Sequence, residues 1–269
     1  MKIGKATVPR TSICTSDEHT IVVRGHDLSK ELIGKVSFIE HFFLLLMGRM
    51  PTPAQTAVLN ATLVAIAEHG LVPSVQAARM TLAAAPEALQ GAVAAGILGC
   101  GSVVLGSAEA AGRLFAEIHT RSAGRSLREA SLEVLREYRA AKRAIPGYGH
   151  PLHKGRDPRS LRLFAVAAET RTSGPHEEIA GMVEELLPEV VGRPLALNVS
   201  GAIPAVLLDA GYPLLALKGV PLLARTAGLV GHLLEEQQRS IGFVMSHAAA
   251  RAIEYDGDVP AGFVPDDAG

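Results

Sequence analysis

The sequence has no tryptophan, and its four tyrosines and seven phenylalanines leave the core to be built from aliphatic side chains. It has only two cysteines, Cys14 and Cys100, far apart and outside any Cys/His ligand spacing, which excludes a disulfide framework and a cysteine metal centre. We expect both to be reduced thiols in a cytoplasmic protein. Excess charge is missing too: the formal net charge is −1, so there is no electrostatic footprint for nucleic acid and no polybasic membrane patch. The run from Phe42 to Met47 is far too short to span a bilayer, and the opening MKIGKATVPR lacks the apolar core of a signal peptide. These features predict a soluble protein without nucleic-acid or membrane partners.

What the sequence does have is alanine and leucine. At 48% apolar and 20% charged over 269 residues, it is long enough for one large domain or two, and it favours helices packed on helices. Only residues 11 to 28 break the pattern. Ser12 to Thr15, the polar turn Ser16 to His19 and Thr20 to Gly25 predict a β-hairpin. From Lys35 apolar residues recur at three and four, with Val36, Ile39, Phe42, Phe43, Leu46 and Met47 as the inner face of a helix ending at Gly48. Further helices are expected from Pro53 to Glu68 and Pro73 to Ala84, then Leu89 to Cys100, Ser107 to His119 and Leu127 to Arg143. In the second half the expected helices are Arg159 to Thr170, Glu177 to Leu187, Ser200 to Ala210 and Leu214 to Gln238. Ala95-Gly96 and Ala227-Gly228 suit close helix contacts, and the tail from Tyr255 reads as loose.

Between these helices lies the stretch from Ile145 to Arg159, whose Pro146, Gly147, Gly149, Pro151, Gly155 and Pro158 forbid a regular helix. It also carries His150, His153, Lys154, Arg156 and Arg159. A shaped loop rich in cations and donors suits an anionic small molecule.

Pro146-Gly147-Tyr148-Gly149-His150 followed by Asp157-Pro158-Arg159 resembles the loop of the citrate synthase superfamily, which includes citryl-CoA lyases and the C-terminal module of ATP citrate lyase. The likeness continues in the family's order. Thr11 to Pro51 is similar to the N-terminal segment of citryl-CoA lyase modules, and Glu68-His69-Gly70 to the family's Asp/Glu-His turn. Gly101 to Phe115 resembles its Gly-rich helix start, Asn198-Val199-Ser200-Gly201 its Asn-Val-Asp-Gly motif, and Arg225 to His232 its Arg-x-x-Gly-x-x-x-His helix.

The resemblance implies an all-α fold in two helical domains with a short N-terminal β-hairpin: a large domain from 1–144 and 221–269, and a small one, 145–220, closing a cleft. It implies a homodimer, a CoA thioester as substrate and no metal. It further implies chemistry at the bond between the methyl carbon of acetyl-CoA and the carbonyl carbon of oxaloacetate or a related oxo acid, made or broken. His150 would polarise the ketone or donate to the citryl hydroxyl. Arg159 and Arg225 would hold substrate carboxylates, for which a guanidinium fork is suited. His69 would bind substrate, and Gly147, Gly149 and Lys154 would border the CoA. Each has a plainer alternative: a structural carboxylate partner for Arg225, a helix C-cap for His69, a solvated side chain for Lys154. His153, His232 and His247 read as structural.

The chain also departs from the family. Ser200 stands where the catalytic Asp is expected, and a neutral hydroxyl is no carboxylate base. Val104 or its neighbour stands where citrate synthases carry a His, and Met245-Ser246-His247 near a late family Arg. Asp209 or Glu109 could replace the base. The alternative function is therefore a non-catalytic or redirected paralogue that binds a CoA ester or a di- or tricarboxylate.

Overall fold

A computed structural model describes residues 9–101, 105–149 and 157–263. The expected hairpin is present as β1 (Cys14–Ser16) and β2 (Ile21–Val23), antiparallel with Thr15 opposite Val22. Asp17 closes the turn by accepting from the N–H groups of His19 and Thr20. A third strand, β3 (His26–Asp27), pairs with β2 and leads into one π-helical turn, Leu28–Leu32. Val23 and Leu32 pack with Leu44, and Arg24 donates to the Leu45 carbonyl through Nε at 2.9 Å and Nη2 at 2.6 Å. The sheet is thereby tied to the end of the first helix, where free carbonyls accept a cation well.

That helix, α1 (Phe38–Met47), begins later than expected because Ser37 and Glu40 form a reciprocal capping box, and it ends at Gly48 with φ +69°. Its buried residues are Phe43 and Leu44, whereas Leu46, expected inside, is exposed. In α2 (Pro53–Ala67) the face of Val58, Leu59, Leu63 and Ile66 is buried. There follow α3 (Pro73–Ala84), α4 (Leu89–Leu98), α5 (Gly106–Arg121), α6 (Leu127–Ala140), α7 (Pro158–Glu169), α8 (Pro175–Val191), α9 (Val199–Asp209), α10 (Gly219–Gln238) and α11 (Gly242–Ala252). The fold is all-α apart from the small sheet.

Two elements differ from expectation. The helix expected over Leu214 to Gln238 is a 3-10 turn at Leu214–Ala216 and then α10, with Pro221 in its first turn. Together they form a stretch long and apolar enough to cross a membrane by length and composition, longer than the run at Phe42 to Met47. It nevertheless buries Arg225 and Glu236, the latter paired with Arg79, which is the pattern of a core helix. The second difference is α11, which sequence periodicity did not reveal. It has no side-chain cap of its own; Glu236 accepts from the N–H groups of Ile241 and Gly242 instead.

Contacts within the chain group it into two units, 1–62 with 108–217, and 63–107 with 218–269. This grouping is a different proposition from the division expected at 145 and 220. In the first unit α9 packs on α7 and α8 and is buried from Val199 to Leu207 except for Ser200. In the second, α10 packs on α3 and α4. A Cβ on Gly96 would come within 2.9 Å of Leu229 and the Ser74 carbonyl, so the small residue read from sequence is what lets α4 approach.

Candidate functional site

The Gly-Tyr-Gly turn is built from positive φ, +88° at Gly147 and +80° at Gly149, angles that side chains resist. Between them Tyr148 is buried, donates its hydroxyl to the Ala180 carbonyl at 2.8 Å and meets Phe115 edge to face. Its backbone forms an isolated bridge with Leu197, flanked by Gly149 N–H to the Ala196 carbonyl (2.8 Å) and Asn198 N–H to the Gly147 carbonyl (3.0 Å). The loop is thus stitched to the residues that open α9. A Cβ on Gly147 would lie 2.8 Å from the Gly201 Cα. Gly147→Ala is therefore expected to cost about 1–3 kcal/mol through strain and overpacking, read as a lowered urea midpoint; an unchanged midpoint would refute this packing.

Two helices start at this turn. Asn198 caps α9, its Oδ1 accepting from the N–H of Ser200 (2.9 Å) and Gly201 (3.3 Å), while its Nδ2 donates to the Gly149 carbonyl at 2.7 Å. Asp157, 1% exposed, caps α7 and accepts from Arg159 through the backbone N–H (3.0 Å), Nε (3.0 Å) and Nη2 (2.7 Å), and from Val199 N–H at 3.3 Å. Burial alone would raise the Asp157 carboxyl; the hydrogen bonds and charge of Arg159 outweigh it and hold it below the ordinary aspartate value. The N-terminal ends of α7 and α9, whose first N–H groups are taken up by Asp157 and Asn198, therefore converge with a glycine turn and a fixed guanidinium, and the helix dipoles and Arg159 are what an anion would meet there.

Ser200 is the second residue of α9 and is half-buried. Pro204 has no N–H to offer the Ser200 carbonyl, so the first turn of α9 keeps an acceptor outside its own ladder. Asp209 sits at the far end of the same helix, about 13 Å away along the axis at 1.5 Å per residue. It accepts from the N–H groups of His176 and Glu177 and from His176 Nδ1 at 2.7 Å, and so caps α8 from a distance. Asp209 is therefore remote from Ser200 and committed to α8. Glu109 is ion-paired with Arg113 one turn along α5.

Gly147, Gly149, Arg159 and Ser200 are thus brought together in the first unit. His69 and Arg225 belong to the second: His69 is exposed in the turn after α2, and Arg225 is 3% exposed within α10. His150 and Lys154, with Val104, lie outside the described residues. Sequence reasoning passed over Asp157 and Asn198, although Asp-Pro before an apolar-periodic run is an N-cap with proline at N1, and Asn198 opens the next such run. It also passed over an open cavity of about 640 Å³ beside the turn, lined by Ile145, Tyr148, Gly149 and Leu195 and by Arg139, Arg143 and Arg193. Arg139 closes α6 with Arg143 just beyond it, and Arg193 follows α8, two segments that no local pattern links. Among the described residues no group of three or more His, Cys, Asp or Glu could hold a metal ion.

A family model for the citrate synthase C-terminal domain matches residues 37–242. The citryl-CoA lyase of Hydrogenobacter thermophilus is 34% identical and superposes with a TM-score of 0.83 over 96% of this chain and 98% of its own. The ATP citrate lyase of Methanosaeta concilii, solved with (3S)-citryl-CoA, has a TM-score of 0.74 over 97% of this chain and 43% of its own; at 24% identity it shows the fold alone. The citrate/2-methylcitrate synthase of Bacillus subtilis is 27% identical over 206 residues, 75% of this chain. The chain spans about half the length of the curated relatives it matches.

Proposed function

The chain belongs to the citrate synthase family, and from that premise we propose that it works as a citryl-CoA lyase-like enzyme, breaking the bond between the acetyl and oxaloacetate carbons of a citryl-type CoA thioester. The observation that carries this reading is the convergence of the glycine turn, Arg159 and the starts of α7 and α9, with a hydroxyl at the position of the family's carboxylate.

Cleavage needs three services from the protein. One group takes the proton of the citryl hydroxyl, the role assigned to His150. Cations hold the carboxylates, the role of Arg159 and Arg225, with His69 beside the oxo acid. Finally, the carbanion released on the acetyl carbon must receive a proton. The Ser200 hydroxyl can relay a proton there, and in condensation it would carry the same proton the other way, so the departure at Ser200 bears on both directions alike. Cleavage is supported by the likeness to the citryl-CoA lyase of Hydrogenobacter thermophilus. The arginine-lined cavity beside Gly149 suits the phosphates of CoA, for which the resemblance also assigns Gly147 and Lys154.

A homodimer is part of the proposal. Phe243 and Val244 of α11 and Ile253 just beyond it are 64–74% exposed, and apolar surface of that kind is normally covered. Two cysteines without a disulfide support a cytoplasmic location.

The test is turnover of citryl-CoA, following release of acetyl-CoA and oxaloacetate, in the wild type, His150→Ala, Ser200→Ala and Ser200→Asp. We expect wild-type cleavage, a loss of about 10²–10⁴-fold in His150→Ala and a smaller loss in Ser200→Ala. Ser200→Asp is expected to gain exchange of the acetyl-CoA methyl protons with deuterated water, the signature of a restored base. A wild type that binds citryl-CoA and turns over nothing would overturn the reading in favour of a ligand-binding paralogue.

A further inference from the structure

His232 lies on α10 seven residues after Arg225, which places both on one face of the helix about 10 Å apart. The turn after α2 lies against α10 between them. Gly228 makes this possible: a Cβ there would overlap the Ala67 carbonyl oxygen, so only a bare backbone lets the end of α2 seat on α10 at this point. The side chain of the next residue, Glu68, folds back over its own turn, its carboxylate facing the N–H groups of His69 and Gly70. It also reaches α10, where His232 Nε2 is 2.9 Å from Oε2. His232 is itself held from the other side, with Nδ1 3.5 Å from Nη1 of Arg79, a side chain anchored by Glu235 and Glu236. An arginine can only donate, so the imidazole accepts at Nδ1, which leaves Nε2 as the nitrogen set against the Glu68 carboxylate.

The energetics say what this contact is for. The Glu68 side chain is 57% exposed and that of His232 only 14%. A polar contact to a carboxylate that is mostly in water contributes about 0–1 kcal/mol to stability. What the contact does supply is direction, because it fixes the carboxylate on which the His69 and Gly70 N–H groups converge, at the corner from which the His69 side chain projects.

We propose that His232 is a positioning residue for substrate binding: through Glu68 it sets the orientation of His69, and Gly228 is the position that lets the turn dock for this purpose. The inference rests on the reading of His69 as a contact of the oxo acid. It takes His232, read from sequence as structural, into the binding function of the helix that carries Arg225.

The experiment measures dissociation constants for oxaloacetate and for CoA, separately, by calorimetry on the wild type, His232→Ala, His232→Gln, His232→Asn, His69→Ala and the double variant His69→Ala/His232→Ala. We expect His232→Ala to weaken oxaloacetate about tenfold, the effect of one hydrogen-bonded contact, while leaving CoA unchanged. His232→Gln, whose amide nitrogen reaches the position of Nε2, should restore binding to within about threefold; His232→Asn, whose amide reaches only Nδ1, should not. The double variant should bind oxaloacetate no more weakly than His69→Ala, because the two residues act in series. If His69→Ala weakens oxaloacetate and His232→Ala does not, or if Gln and Asn behave alike, the positioning role is overturned. If His69→Ala has no effect, the reading of His69 fails and takes the inference with it. Where His232→Ala folds poorly, the Gln and Asn pair carries the test, since the two differ only in reach.

Discussion

Glu236→Ala is expected to destabilise the protein by about 3–5 kcal/mol, the usual consequence of removing one partner from a buried ion pair. Glu236 and Arg79 are 2% and 3% exposed at their side chains, with Nε of Arg79 2.7 Å from Oε2. The carboxylate also accepts from the Ser240 hydroxyl at 2.6 Å and from the N–H groups of Ile241 and Gly242. Alanine would leave the first turn of α11 without its cap and take from Arg79 its buried carboxylate, leaving the half-exposed Glu235, so two helices loosen together. A Cβ on Gly242 would meet Ala83 and the Arg79 carbonyl, so α11 is pressed against α3 where the cap holds it. Urea denaturation at neutral pH measures the loss; a change below about 1 kcal/mol would show that the pair is dispensable.

The same residue sets a pH dependence. Burial on its own would raise the Glu236 carboxyl, but the Ser240, Arg79, Gly242 and Ile241 hydrogen bonds overcome it and bring it down to about 2 from an ordinary 4.5. A folded value below the unfolded one means stability that is fully present above about pH 4.5 and lost as the pH falls towards 2. The wild type should therefore lose more stability across that window than Glu236→Gln. Parallel curves for the two proteins would show that Glu236 titrates normally.

The helical class, the hairpin and most helix positions were legible because they rest on local signals. Ser37 and Glu40 spell a capping box, Gly48 a left-handed stop, and Pro73, Pro158 and Pro175 the first turns of their helices. What could not be read was whatever is supplied from far along the chain. The cap of α11 is Glu236 on the preceding helix, and that of α8 is Asp209, more than thirty residues away. In the candidate site, the loop and the Asn198 motif were visible as motifs, but the hydrogen bonds joining Gly147 and Gly149 to Asn198 span about fifty residues of sequence. Arg193 is likewise brought to Arg139 and Arg143 in the neighbouring cavity only by the fold. Leu46 shows the limit of periodicity: it has helical spacing with Phe42 and Phe43, yet the buried stripe turns through Leu44 to meet the sheet.

Asp157 joins the two kinds of information, and its replacement is the second large effect. The Asp-Pro-Arg sequence is local, but the carboxylate does three things at once: it caps α7, orients Arg159 through Nε and Nη2, and accepts from Val199 at the start of α9. Asp157→Ala removes a cap and leaves a buried N–H without its acceptor, for an expected loss of about 2–3 kcal/mol. The effect on activity should be larger in proportion. Arg159 would be free to swing, and a displacement of about 1 Å in a substrate-holding group costs on the order of 10²-fold in kcat/KM. Asp157→Asn separates the two functions. Its side-chain oxygen can still accept from the Arg159 N–H and keep the cap, but it has no charge with which to fix the guanidinium. That variant should therefore hold most of its stability while the KM for citryl-CoA rises and kcat changes less, because carboxylate anchoring acts mainly on binding. If Asp157→Asn matched the wild type in KM, Asp157 would be a helix cap and nothing more. Arg159 would then have to find its geometry from the ligand itself.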